Sequence, residues 1–498
     1  MKNARMVLRC MFGRATRQTC FPGLFVACLA AACDAPPPTE TPPPPPPAGV
    51  PRTDPLAVHV EGRTFRDGLG RQLLLRGYNA KKHGLFDVSF DDGRRANYEY
   101  VDFNEPEAQR FEELGFNVIR LPVNWSALEP QPGQYSATFL AKLDETLALA
   151  ARHHFYVVVD MHQDGYSKEI GEDGAPLWAI VPPPTMLLEG PSSDDRRTTP
   201  QVVDAGLSFF ANALATDGRP LQDAFFAAVE QMVRRTLGHP RVLGWEAFNE
   251  PVIFDQEALD TFHVHFAEHV HALDKDAPVL FEPYGFRNQA DEAPLAWQPW
   301  SSGPGAYAPH IYSGQFNMAG GAGWSSEDPE ALRPGMESAE REAESWGTPL
   351  FIGEYGCNVA EPRGNKWMDA ELALQDRLLA SSTAWAREWG SWGLFDDDGV
   401  ERAATVHVVA RPYPRAIAGD LLAIERPEPG HLLIRWRETD RTRGLPHEVS
   451  MSDAYATGWE VRCDGVRVEV TRAPGRGEFI CPPGAGERVI DVVATPLP

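Results

Sequence analysis

This chain has few cysteines, fewer bases than acids, and no apolar run long enough to cross a bilayer. Of its seven cysteines, Cys10, Cys20, Cys28 and Cys33 fall in the first 33 residues, leaving Cys357, Cys463 and Cys481. No spacing among them resembles a metal site. Cys463 and Cys481 sit on neighbouring strand-like segments, so they either bridge in an oxidising compartment, with Cys357 free, or stay as buried thiols. With 46 Lys and Arg against 70 Asp and Glu, the formal charge is −24. Nucleic acid and anionic membrane surfaces are therefore poor partners. Phe21 to Ala32 is a short apolar stretch, too short for the roughly 30 Å of a hydrocarbon core.

What is present at the N-terminus reads as an export signal. Lys2, Arg5, Arg9, Arg14 and Arg17 precede that apolar stretch with no acid among residues 1–33, the pattern of a signal peptide. Leu29-Ala30-Ala31-Ala32-Cys33 resembles a bacterial lipoprotein cleavage box, in which the cysteine becomes the lipidated first residue; simple cleavage and release is the alternative. The expected location is the cell surface or periplasm, with membrane attachment through Cys33, or the medium. Removing residues 1–33, with five cations and no acid, takes the charge from −24 to about −29. Residues 34–54 carry Pro36 to Pro38 and Pro42 to Pro47 and form a stiff spacer.

The remaining chain alternates apolar strands with amphipathic helices. Leu73 to Tyr78, Val118 to Val123, Tyr156 to Met161, Val242 to Phe248, Val279 to Glu282, Tyr307 to Tyr312, Leu350 to Glu354 and Ser391 to Phe395 read as eight buried parallel strands. Helical periodicity covers Ala137 to His153, Asp223 to Leu237, Gln256 to Leu273, Pro329 to Trp346 and Glu371 to Glu388. Eight such repeats predict a (β/α)₈ barrel over residues 55–410, with its site at the carboxyl ends of the strands. Gly165 to Pro220, rich in Pro, Gly and Ser, is too long for a connector and is expected to form a wall or lid. Residues 411–498 switch to short period-two segments, the pattern of a small antiparallel β-sandwich, more simply a packing partner of the barrel than a separate glycan binder.

Two glutamates carry the chemistry. Glu250, in Gly244-Trp245-Glu246-Ala247-Phe248-Asn249-Glu250-Pro251, and Glu354, in Leu350-Phe351-Ile352-Gly353-Glu354-Tyr355-Gly356, each follow an apolar run. A protonated acid and an ionised partner at two strand ends are what glycosidic bond cleavage needs. Arg120, His162, Asn249-Glu250-Pro251, His310 and Tyr312, Glu354 and Trp392, placed at strands two, three, four, six, seven and eight, resemble glycoside hydrolase family 5 in residue type and order. Within it, Asn79 to Arg94, Asp160 to Asp164, Ala175 to Trp178 and Pro412 to Ala416 resemble the endoglycoceramidases.

That resemblance implies a retaining β-glycoside hydrolase that releases glycan from a glycolipid, with Glu250 as acid/base and Glu354 as nucleophile. It further implies that Arg120 and Tyr312 hold Glu354, that Asn249 binds the sugar 2-hydroxyl, and that His162, His310 and Trp392 line the site. Lys82 and Asp164 stand where that group contacts glycan. No cofactor and no metal is expected, and the chain is expected to be a monomer. Two other readings stay open: a β-glucanase or β-mannanase with the same catalytic set, and a surface lipoprotein that binds glycans without cleaving them. An apolar channel for lipid would draw on Trp178, Ile180, Val181, Met186, Leu187, Leu188, Phe209, Phe210, Phe316 and Met318, unless these only fold the loops onto the barrel.

Overall fold

The computed structural model describes residues 52–497 except 192–193, 254, 289–299, 314–328, 361, 387–391 and 397. The signal segment 1–33, Cys33 and almost all of the spacer lie outside the described residues, as do Phe316 and Met318.

Eight parallel strands form the barrel: β1 (Arg76–Asn79), β2 (Val118–Val123), β3 (Tyr156–Met161), β4 (Val242–Glu246), β5 (Val279–Phe281), β6 (Gly305–Tyr307), β7 (Phe351–Ile352) and β8 (Ser381–Ala384). They run in the order β7-β8-β1-β2-β3-β4-β5-β6, and a parallel bridge from Tyr307 to Leu350 joins β6 to β7 and completes the ring. The expected barrel is therefore present, with one strand elsewhere than foreseen. Strand eight is Ser381–Ala384, and Trp392 to Phe395 follow it as turns. The helix expected over Glu371 to Glu388 runs instead from Pro362 to Leu378.

The helices form where periodicity and capping coincide. Gln256–Leu273 buries Leu259, Phe262, Phe266, Ala267 and Val270 along one stripe, and Asp255 caps its start by accepting from the Ala258 N–H, as an N-cap does. Ser136 caps Ala137–Arg152 in the same way through Phe139. Helix Pro200–Phe210, inside the long wall, drives Phe209 and Phe210 into the core. There Phe209 meets Phe248 at 5.2 Å and Phe262 at 5.4 Å between ring centroids. Phe248 directly precedes Asn249 and Glu250, so this aromatic cluster anchors the backbone that carries them.

Two antiparallel sheets follow the barrel. One pairs Asp420–Glu425, His431–Arg437, Glu487–Pro496, Ala456–Cys463 and Val466–Arg467; the other pairs Pro414–Ile417, His447–Ser450, Arg476–Phe479 and Thr471–Ala473 with three strands from residues 59–73. The segment before β1 thus belongs to this second sheet rather than to the barrel. Cys463 and Cys481 are bridged, and Cys357 is a buried thiol outside that disulfide, donating to the Gly364 carbonyl at 3.2 Å.

One carboxylate ties barrel and sheets together. Asp376 accepts from Arg76 of β1 at 2.7 Å, Arg411 at 2.9 Å and Arg426 at 2.7 Å. Burial works against its charge, but the three guanidiniums hold its pKa far below the ordinary value. Asp376→Ala leaves three cations without their shared anion, and about 3–5 kcal/mol of stability should be lost, as when one partner of a buried pair is removed. Urea unfolding of variant and parent at neutral pH measures it; a change within a few tenths of a kcal/mol would contradict the assignment.

Candidate active site

Along each strand the inward positions alternate, and the upper layer of the barrel is charged. Val118, Val158, Leu280 and Ala308 pack in a lower apolar layer. Two residues beyond each stand Arg120, Asp160, Glu282 and His310, all fully buried, as a period of two requires. Glu246 at the end of β4 joins them.

Arg120 is the centre of the layer. Its guanidinium grips Glu246 with two hydrogen bonds of 2.7 and 2.9 Å and donates to Glu354 Oε1 at 2.7 Å, Asn79 Oδ1 at 3.0 Å and Asn249 Oδ1 at 2.9 Å. Asp160 lies 3.1 Å away. Burial opposes its charge, yet Asp160, Glu246 and Glu354 hold its pKa well above the usual range. It is a permanent cation in a dry site.

Glu354 is fixed at both oxygens, because Oε2 accepts from the Tyr312 hydroxyl at 2.9 Å while Oε1 accepts from Arg120. Burial raises its pKa above the ordinary carboxyl value, with His310 and Arg120 pulling the other way. Glu250 is held differently. Its backbone sits at φ 40°, a left-handed conformation that costs a non-glycine residue about 1–3 kcal/mol and is found where a site over-determines it. Its N–H donates to Glu282 Oε2 at 3.2 Å, its Oε1 lies 2.9 Å from His310 Nδ1, and its Oε2 lies 3.4 Å from Arg197. Burial and then the charge of Asp164 push Glu250 up to about 7, against the pull of Arg197. One oxygen of each glutamate and one nitrogen of His310 fall within 4.8 Å of one another. Burial lowers His310 to about 4, so at neutral pH it is uncharged.

The remaining residues expected at the site separate into those the structure brings in and those it replaces. His162 Nδ1 lies 2.6 Å from Asp160. Burial opposes its charge, but Asp160 keeps its pKa well above the histidine range. Asp164 is 3.7 Å from His162 Nε2 and 3.0 Å from Arg197. Asn249 is locked between Arg120 and the Gln163 carbonyl, to which its amide donates at 3.1 Å. Lys82 is tied to Asp102 at 2.6 Å and to the Phe103 carbonyl at 2.8 Å. Its neighbour Lys81 is the lysine on the His162 side, with its ammonium 4.4 Å from the Trp385 ring centroid. Trp385, directly after β8, stacks on His162 at 5.5 Å and 4°. It takes the strand-end position expected of Trp392, whose ring lies instead against Tyr312 at 5.8 Å.

Sequence reasoning missed Glu246, Glu282, Arg197, Lys81 and Trp385. The first two carried the signal that found Glu354, an acid at the end of a buried strand. Arg197 carried none, since it comes from residues 194–198 of the wall and reaches Asp164, Glu172 and Glu250 only through the tertiary fold. Of the apolar wall candidates, Trp178, Ile180, Phe209 and Phe210 are buried in the core, whereas Met186 is 61% and Leu187 43% exposed.

Among the described residues, three groups come close enough to share a cation: His162 with Asp164 and Asp173, Glu246 with Glu282 and His310, and Glu250 with His310 and Glu354. Each already has a fixed positive charge on one of its acids, Arg197 on Asp164 and Glu250 and Arg120 on Glu246 and Glu354. The donor sets are thus balanced by the protein's own cations.

Comparison with known proteins agrees with this fold. Residues 92–388 match the family model described as cellulase (glycosyl hydrolase family 5). Endoglycoceramidase I of Rhodococcus hoagii (strain 103S) is 26% identical over 464 residues, which cover 85% of each chain. Two solved structures of endo-glycoceramidase II from Rhodococcus sp. share the fold. The lactosyl-enzyme intermediate has a TM-score of 0.72 at 22% identity, covering 86% of this chain and 99% of that one. The ganglioside GM3 complex has a TM-score of 0.72 at 21% identity, with the same coverage.

Proposed function

Because the chain belongs to the cellulase family, glycosyl hydrolase family 5, and is an O-glycosyl hydrolase, we propose that it cleaves the β-glycosidic bond between a glycan and a lipid with retention of configuration. The observation that carries retention is the approach of the Glu250 and Glu354 oxygens to within 4.8 Å. Retaining enzymes hold their carboxyls about 5–5.5 Å apart, whereas inverting ones leave about 6.5–9.5 Å for a water.

The two environments divide the roles. Glu354, gripped by Arg120 and Tyr312, attacks the anomeric carbon while Glu250 delivers its proton to the glycosidic oxygen, and the lipid alcohol departs. A water then enters, Glu250 takes its proton, and the hydroxide oxygen displaces Glu354 from the sugar. Asn249, its amide fixed by Arg120 and Gln163, is assigned to the sugar 2-hydroxyl. His162, Asp164, Lys81 and Trp385 are assigned to the glycan.

The pH profile follows from these groups. Protonated Glu250 is needed for the first step, so kcat/KM should fall as pH rises through about 7. Ionised Glu354 is needed too, so it should also fall in acid, with a midpoint above the ordinary carboxyl value because burial raises that group. Initial rates on one soluble substrate across pH measure both limbs; a rate still rising at pH 9 would contradict the assignment of Glu250.

The glycolipid substrate is supported by the likeness to endoglycoceramidase I over most of both chains and by the apolar tip of the wall at Met186 and Leu187. The purified protein is to be incubated with GM3 or lactosylceramide and, separately, with cellulose and mannan oligosaccharides. Release of intact oligosaccharide from the glycolipid alone is expected. Release from the polysaccharide fragments alone would make it a glucanase or mannanase, and binding without release from any of them would make it a glycan-binding protein.

A further inference from the structure

The two side-chain oxygens of Glu250 reach different parts of the chain. Oε1 lies 2.9 Å from His310 Nδ1, just past β6, whereas Oε2 accepts from Arg197 at 3.4 Å. Arg197 belongs to the wall, in the single turn Asp194–Thr198. Its guanidinium is held there by two other acids. Nη1 lies 3.0 Å from Asp164 Oδ1 and Nη2 donates to Asp164 Oδ2 at 3.1 Å, while Nε donates to Glu172 Oε1 at 3.1 Å. Asp164 and Glu172 are both buried, where a carboxylate needs a cation beside it. A planar fork gripped along two edges has its last N–H aimed for it, and that one reaches Glu250.

The charges that face Glu250 give this contact its use. Three acids approach it from three elements: Asp164 beyond β3, Glu354 beyond β7, and Glu282 beyond β5, which accepts the Glu250 N–H. Two cations stand near, but Arg120 donates to Glu246 and Glu354, and His162 lies 2.6 Å from Asp160. His310 and Tyr312 are uncharged at neutral pH, since burial lowers the first to about 4 and raises the second well above its ordinary value. In the first step Glu354 loses its charge to the sugar ester while Glu250, giving its proton to the glycosidic oxygen, acquires one. The new anion lies within the field of Asp164, and the cation already directed at it is Arg197.

We propose that Arg197 is a positioning residue, which the wall delivers and Asp164 and Glu172 clamp, so that it donates to Glu250 Oε2 and holds that group as a carboxylate between the two halves of the cycle. The ionised glutamate then stays oriented to take the proton of the incoming water. Arg197 also offsets the charge of Asp164, whose pKa it keeps below the ordinary value against the effect of burial. The inference rests on Glu250 being the acid/base.

A pH profile separates that role from a merely structural one. Arg197→Met removes the cation at a side chain that is 30% exposed. In the parent, kcat/KM on an alkyl β-glycoside should fall as pH rises through about 7. In the variant that midpoint should move up by about 1 pH unit, the low end of what a neighbouring cation does to a carboxyl group. The glycosyl-enzyme formed from a dinitrophenyl β-glycoside needs ionised Glu250 for its hydrolysis. On the acid side of its profile that second step should slow about 10-fold, because one unit is a factor of ten in the ionised fraction, and it should recover as pH rises. Arg197→Lys, which keeps the charge, should bring both midpoints most of the way back. An equal loss at every pH with unmoved midpoints, or a lysine variant no better than the methionine one, would overturn the proposal. Should Arg197→Met not fold, Arg197→Gln, neutral yet still a donor to the wall acids, carries the same expectation. Absence of turnover by the parent on every β-glycoside would instead refute the parent reading of the site.

Discussion

Glu354→Gln should abolish turnover and leave the fold intact. The amide has the shape of the carboxylate, its oxygen can still accept from Arg120, and its nitrogen can donate to the Tyr312 oxygen, so both neighbours keep a partner. Arg120 keeps Glu246 and Asp160 as counter-ions. An amide oxygen, however, cannot form the glycosyl ester on which the double displacement depends. Removal of a covalent nucleophile lowers kcat on the order of 10⁴- to 10⁶-fold. The melting temperature should stay within a few degrees of the parent. A 2-fluoro-glycosyl substrate with a good leaving group should label the parent at Glu354, seen as a mass shift on its peptide, and should leave the variant unlabelled. Labelling at another residue, or survival of most of the turnover, would remove Glu354 from its role.

Glu250→Ala should give a loss that depends on the leaving group. With a lipid alcohol, a poor leaving group, the missing proton should lower kcat/KM about 10²- to 10⁴-fold. With dinitrophenolate, departure needs no acid; the first step should persist and the glycosyl-enzyme should accumulate, giving a burst followed by slow turnover. Azide, a nucleophile that needs no base, should fill the space left by the side chain and restore turnover, with a β-glycosyl azide as the product. The alkaline limb near pH 7 should vanish with the group that causes it. A loss of equal size on both leaving groups would mean that Glu250 acts through structure alone.

The barrel was legible because most of its strands are runs of Val, Ile, Leu and Phe, and β2 and β3 lie where that pattern puts them. Strand β8 was not. Ser381-Ser382-Thr383-Ala384 has no apolar run, yet it is buried because its hydroxyls find partners: Ser382 donates to Gln375 Oε1 at 2.8 Å, Thr383 donates to the Gly353 carbonyl at 2.6 Å, and Ser381 accepts from the Leu75 N–H at 3.1 Å. Hydrophobic periodicity cannot register burial of that kind. The helix was therefore extended over the strand, and the tryptophan at its end was sought at Trp392 instead of Trp385. Leu73 to Tyr78 failed differently, since one apolar run serves two sheets. Gln72–Leu73 pairs with Pro414–Ile417, and Arg76–Asn79 enters the barrel.

The pair of glutamates assigned to catalysis stood out because each ends an apolar run on its own motif. Its surroundings were partly legible. Arg120, Asn249, His310 and Tyr312 touch the two glutamates or each other as their order along the chain implied. Lys81 and Lys82 could not be told apart, because adjacent residues in extended chain point to opposite sides and the register was unknown. Arg197 was beyond reach, as its partners come from two segments, the loop of Asp164 and Glu172 and the end of β4 at Glu250, that only the tertiary fold brings to it.

The sheet that takes three strands from residues 59–73 and four from residues 414–479 makes the catalytic unit an insertion. The host is the β-structure, begun before the barrel and finished after it, and Gln72–Leu73 beside Pro414–Ile417 marks where the guest leaves and returns. The guest's two ends are thereby stapled together by backbone hydrogen bonds, which removes much of the freedom the ring would have if it had to close on its own. A cut at residue 410 would therefore not free an independent enzyme. It would leave the edge of Gln72–Leu73 unpaired and deprive Asp376 of two of its three arginines.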